Sequence, residues 1–142
     1  MTIWEWLAKL IRPKPPVPPP AGTPLARLLA LHNAERAKHG LPPLKRDAQL
    51  EAAAQVWALR MSNSGVLSHA DFAGRITAQG YRWRACAENI AFGDQTADTV
   101  FGTWMRSGGH RANILGRYAD VGFGHMIDAR GQHWWCADFG SK

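Results

Sequence analysis

Two histidines and one glutamate are singled out by where they fall in the chain. His69 lies in GVLSHADF and His110 in SGGHRANIL, both read as irregular segments just beyond helices. Loops carried on a rigid scaffold are where sites are usually built. Gly108 and Gly109 ahead of His110 suggest a backbone that closely approaches something or takes unusual dihedrals. Glu88 sits in the apolar run CAENIAF, where a carboxylate is costly unless paired or coordinated. The three residues are 19 and 22 positions apart, and no short metal motif such as HExxH joins them. If they converge, two neutral imidazoles can hold Zn²⁺ or another divalent cation, at about 2.0–2.1 Å for zinc, in a shell left open to water or substrate. Glu88 could then orient that water, accept its proton, or fix one histidine's tautomer. The alternative is a structural network in which Glu88 ties two loops together through both histidines. The other four histidines, His32, His39, His125 and His133, read as packed or surface side chains.

The elements that must position these groups follow from periodicity and capping. TPLARLLALHNAERAKHG carries a Thr cap, a proline at the first helical position and a terminal glycine, which predicts a helix over 24–39. LPPL breaks it. A second helix starts near Asp47, with Leu50, Ala53, Ala54, Trp57 and Met61 on one face, and SNSG at 62–65 closes it. A short helix covers 71–79, a strand 86–92, and a further helix 96–106. DVGFGHMI and QHWWCADFG, separated by DARG, form a hairpin. Helices first, then strands with a helix between them, predict an α+β domain. Cys86 and Cys136 each fall in a strand and in no CxxC pair, which excludes a zinc ribbon. They are compatible with one disulfide or with two buried thiols.

The N-terminus reads differently. Residues 2–12 form a short amphipathic helix whose broad apolar face carries Ile3, Trp4, Trp6, Leu7, Leu10 and Ile11. It is too short for a transmembrane span, which takes about 20 apolar residues. It lacks the basic start and small-residue cleavage site of a secretory signal. PKPPVPPP is a stiff polyproline spacer, so the chain divides into a helix at 1–12, a linker at 13–22 and a domain at 23–142. An exposed face of this kind is expected to dock on another protein or a membrane surface.

The whole chain has 142 residues, 46% hydrophobic and 20% charged, enough for one globular domain with its own core. Its formal net charge of +6 suits an anionic surface such as lipid or cell-wall polymer. The lysines and arginines are scattered, which argues against a nucleic-acid footprint.

Five segments taken together, HNAERAKHGLPPL, SHADFAGRI, AENIAFG, TWMRSGGHRANIL and VGFGHMIDARGQHWWCADFG, resemble the CAP superfamily. This is the group of cysteine-rich secretory, antigen 5 and pathogenesis-related 1 proteins, here in its short bacterial or phage-type form. The resemblance covers about residues 25–140. It implies an α-β-α sandwich with a small central antiparallel sheet and a cleft of two histidines and two acidic residues. His69 and His110 match the histidines and Glu88 one acidic residue, while Ser107 stands where the second is normally found. Arg111 and Asn113 match the motif as supports of the fold. Metal affinity in a cleft with one carboxylate fewer should be modest.

The resemblance implies first a non-catalytic binding module for an envelope ligand, tethered through residues 1–12. A second reading is a metal-assisted hydrolase of peptide or cell-wall bonds, with Glu88 as its catalytic group; no GxSxG nucleophile is present. A third is a structural accessory component of a larger, phage-type assembly. An extracytoplasmic, envelope or virion location is expected, without a recognisable cleavable signal peptide.

Overall fold

The computed structural model describes residues 2–5 and 22–142. Residues 3–5 are helical, with Ile3 and Trp4 exposed. The remainder of the expected leader helix and the proline spacer lie outside the described residues.

Helix α1 runs Pro24–Lys38. Thr23 Oγ1 accepts from Ala26 N at 3.3 Å and proline occupies the first turn, where its missing N–H costs nothing. Leu28, His32 and Arg36 form its buried stripe at helical spacing. Helix α2, Ala48–Ser64, is capped by Asp47, whose carboxylate accepts from Gln49 N and Leu50 N at 2.9 Å. Gly65 ends it in the left-handed conformation. Helix α3, Phe72–Ala78, starts at Asp71, itself left-handed at φ 48°. Helix α4, Ala97–Met105, begins with a reciprocal Thr96–Thr99 capping box. Each of these lies where periodicity and capping put it.

Helix α5, Gly108–Ile114, was not expected. His110 therefore stands in the first turn of a helix and not in an irregular segment. Its two glycines look like breakers in sequence. They occupy the first turn, whose N–H groups need no intrahelical partner. Neither has a positive φ, and a Cβ at either would meet nothing within 4 Å, so no close approach required them.

Strands β1 (Lys45–Arg46), β2 (Ala85–Phe92), β3 (Asp120–Ile127) and β4 (His133–Ser141) form one sheet in the order β1-β3-β4-β2. The β2–β4 and β3–β4 pairs are antiparallel, as expected of the sheet's body. The two-residue edge strand β1, too short to be seen in sequence, runs parallel to β3.

Helices α1, α4 and α5 cover one face, with Leu28, Trp104, Ile114, Phe123, Trp135 and Phe139 buried between them and the sheet. Helices α2 and α3 cover the other, with Leu50, Ala54, Ala58, Met61 and Ile76 buried there. The domain is thus an α-β-α sandwich. On the second face, α2 rests directly on the strand backbone at Gly122 and Gly124. A Cβ at Gly122 would overlap the α2 backbone at Leu50–Glu51, and one at Gly124 the backbone at Ala54. Among the described residues no helix is long and apolar enough to cross a membrane.

The register excludes the disulfide weighed from the sequence. Cys86 stands opposite Gly140 and Cys136 opposite Ile90, so the two cysteines are four positions apart along neighbouring strands. At about 3.3 Å per residue that is about 13 Å, well beyond the roughly 7 Å limit between bridged Cα atoms. Both are free thiols.

Candidate functional site

Strand β2 alternates its side chains between the two helical layers. Glu88 points to the α2–α3 side and Asn89 to the α5 side, and both are buried. Each anchors one half of the site.

On the α2–α3 side the loop between those helices brings His69 Nδ1 to 3.0 Å from Glu88 Oε1. Arg75, in α3, completes the group: its Nη2 lies 2.8 Å from Glu88 Oε1 and 2.8 Å from Oε2. The same nitrogen donates to the His69 carbonyl at 3.0 Å, and Arg75 Nε donates to the Ala70 carbonyl at 2.9 Å. The guanidinium carbon sits 4.0 Å above the Trp57 ring. Trp57 Nε1 donates to the Ser68 carbonyl at 2.7 Å. One arginine thus neutralises the buried carboxylate and pins the loop that carries the histidine.

Arg75 was missed in the sequence. The available signal was the cost of Glu88 itself, because a carboxylate in an apolar strand requires a nearby cation. SHADFAGRI contains one, one turn into a helix started by Asp71.

Behind Glu88 the site is acidic and dry. Asp138 stands directly opposite it on β4. Cys136 Sγ is 3.4 Å from Glu88 Oε2 and 3.7 Å from Asp138 Oδ1. Burial pushes the Asp138 carboxyl well above the usual range, and the neighbouring Glu88 pushes it further the same way. Of the two carboxyls, Asp138 is the one whose neutral form the surroundings favour. Burial likewise drives the Cys136 thiol well up, so it remains S–H. The ligand atoms of Glu88, Cys136 and Asp138 lie within 4.8 Å of one another, a grouping that could hold a metal ion. The cation at this group is the Arg75 guanidinium, and a metal there would have to compete with its charge.

On the other side, Asn89 Nδ2 donates to the His110 carbonyl at 3.0 Å. Asn113 Nδ2 donates to Asn89 Oδ1 at 2.9 Å and to the Glu88 carbonyl at 3.4 Å. These bonds fasten α5 to β2 and give Asn113 the supporting role that the motif suggested. Arg111 is exposed. His110 Nδ1 is buried without a protein partner. Burial lowers the His110 pKa, and the nearby His69 imidazole lowers it further. Ser107 is the N-cap residue of α5, but its hydroxyl makes no capping bond. It brings no negative charge to the position where a second carboxylate would sit.

Two neutral imidazoles are the kind of donor a divalent cation takes. A carboxylate beside His69 Nδ1 holds the proton on that nitrogen and leaves Nε2 as the basic one. His110 is held neutral and has a nitrogen with no partner. Two imidazoles with no acidic ligand would make at most a weak, open site.

The profile of the cysteine-rich secretory protein family, CAP, matches residues 29–139. The chain belongs to this family. It is 32% identical over 106 residues to the uncharacterized protein YkwD of Bacillus subtilis, covering 70% of this chain and 41% of that protein. It therefore spans less than half the length of this curated relative. Among solved structures, an outer surface protein of Borrelia burgdorferi superposes with a TM-score of 0.79 at 19% identity, over 87% of this chain and 96% of that one. An extracellular SCP-domain protein of Bacillus anthracis superposes with a TM-score of 0.78 at 23% identity, over 84% of this chain and 40% of that one. At these identities the likeness shows the fold.

Proposed function

We propose that this CAP domain is a binding module whose His69–His110 cleft takes a divalent cation such as Zn²⁺ weakly, and that its N-terminal segment holds it at an envelope surface. The observation that carries the first part is the 3.0 Å contact between His69 Nδ1 and Glu88 Oε1. It presets the tautomer in which Nε2 is free to act as a ligand. A cation held by His69 and His110 would supply Lewis-acid attraction for an anionic or carbonyl group of a ligand.

Binding is favoured over hydrolysis by the state of Glu88. Its carboxylate is sealed from solvent and both oxygens are engaged, by Arg75 and His69 on one and by Arg75 and Cys136 on the other. A general base must reach the water it deprotonates. Glu88 here orients an imidazole instead. The surface location is supported by the exposure of Ile3 and Trp4, 68% and 77%, and by the outer-surface and extracellular descriptions of the two structural relatives.

Titration of tag-free protein with Zn²⁺ tests the cleft. One equivalent should bind, and His69→Ala or His110→Ala should remove it; undiminished binding by the double variant would refute the cleft reading. Deleting residues 1–22 tests the tether. The melting temperature should stay nearly unchanged while binding to anionic vesicles is lost. A large fall in melting temperature would place the segment in the domain's own core.

A further inference from the structure

A second pair of histidines lies outside the cleft, on the β3–β4 hairpin. His125 stands opposite Trp135 and His133 opposite Ile127, so the two imidazoles are diagonal neighbours across the ladder. His125 Nε2 and His133 Nδ1 are 2.8 Å apart. The ring planes differ by 16° with centroids 5.0 Å apart, so the rings meet edge to edge and share one N–H proton. His125 lies flat on Trp135, at 3.8 Å between centroids and 15° between planes. Trp135 is itself fully buried and fixed by its Nε1 bond to the Asp94 carbonyl at 2.6 Å. Both histidines are half-buried, within reach of solvent.

From this arrangement we propose that His125 and His133 form a separate two-nitrogen binding site for a tetragonal transition-metal ion, of the Cu²⁺ or Ni²⁺ class. At the usual metal–imidazole distance of about 2.0–2.1 Å, a right-angle bite places two nitrogens about 2.9 Å apart. A tetrahedral bite at the same distance places them about 3.3 Å apart. The observed 2.8 Å matches the right angle, which is the preference of square-planar and tetragonal ions. Both rings must turn out of their shared plane, His125 tilting on Trp135, to aim both lone pairs at one point. The shared proton moves to the outer nitrogen of the ring that carried it, His125 Nδ1 or His133 Nε2. Both ligands are then neutral imidazoles, and no proton is released. A two-stranded ladder supplies a rigid backbone for both histidines.

Cu²⁺ with glycine as competing chelator is the probe, titrated into the full chain and followed by tryptophan fluorescence and electron paramagnetic resonance. One saturable phase should quench emission and give an axial signal with two-nitrogen splitting. His125→Ala and His133→Ala should each weaken that phase at least ten-fold. His69→Ala/His110→Ala should leave it within two-fold, which separates this site from the proposed cleft. His133→Gln, which keeps a donor and an acceptor beside His125, gives the same loss in a variant less prone to disturb the hairpin. Retention of the two-nitrogen signal in folded His133→Gln, or its loss in the His69/His110 double variant alone, would overturn the assignment. Absence of a two-nitrogen signal in the wild type would overturn it as well.

Discussion

Glu88 and Asp138 face each other across β2 and β4 with one cation, Arg75, on the Glu88 side. Two carboxyl groups in a dry site with a single positive partner cannot both ionise without great cost. The pair therefore favours a single negative charge, and burial, with Glu88 beside it, raises the Asp138 carboxyl.

This has a consequence for stability. A carboxyl whose folded pKa is raised above its unfolded value, about 3.9, favours the folded state below that pH and loses the advantage as pH rises. Asp138→Asn is neutral at every pH and nearly isosteric. It should be at least as stable as the wild type at pH 7, and the gap between the two should widen from pH 4 to pH 8. Urea unfolding of both proteins across that range checks it. A gap that narrows with rising pH would mean that Asp138 is ionised in the fold.

Arg75 holds both the buried carboxylate and the loop of His69. Replacing it with leucine leaves Glu88 buried without a cation and frees the loop at His69 and Ala70. Removing one partner of a buried pair costs about 3–5 kcal/mol, and a loss of that order is expected. Arg75→Lys should recover part of it, because a lysine supplies the charge but not the fork that also reaches the loop carbonyls. Thermal unfolding gives the stability, and the ring-nitrogen shifts of His69 report whether its tautomer has become mixed.

Acid should weaken the fold through His32. Burial lowers its pKa to about 4, against a hydrogen bond from Nδ1 to the Leu28 carbonyl at 2.7 Å that acts the other way; the Arg36 charge lowers it slightly further. Its ring is packed among Phe101, Trp104, Phe123 and Phe139. The folded pKa lies below the unfolded value of about 6.5, so the neutral form is the one the fold selects. Its contribution is complete above pH 6.5 and is lost as pH falls towards 4. His32→Leu should flatten this part of the stability curve while leaving less stability at pH 7. An unchanged acid slope in that variant would assign the effect to other groups.

How far the sequence could be read depended on whether a feature was local. The cap Thr23 and the helical stripes placed α1, α2 and α4 within a residue or two, because capping and periodicity are written in neighbouring residues. The same residues could not show α5, where Gly108 and Gly109 look identical in a turn and in a helix's first turn. Glu88 was legible as an expensive residue, and so was His69 beside it. Arg75, Cys136 and Asp138 were not, since their roles come from β2–β4 register and from the way α3 lies against the sheet. The choice between a bridge and two thiols stayed open for the same reason: each cysteine was legible as a strand residue, but not the four-residue offset along the paired strands. His125 and His133 passed for ordinary hairpin histidines until the ladder brought their nitrogens to 2.8 Å.

Gly122 and Gly124 give the domain its gauge. Gly122 shares a row of the sheet with Asp138 and Glu88, and the missing side chains let α2 lie on bare strand backbone. The same helix carries Trp57 under Arg75 and hands the chain on to the loop of His69. A methyl group at Gly122 would have to lift the helix, and with it the histidine, while Glu88 stays in its strand. The spacing between an imidazole and its carboxylate is thus set from across the sheet, by an atom that is not there. Gly122→Ala should therefore shift the His69 ring resonances although it touches none of the site's side chains.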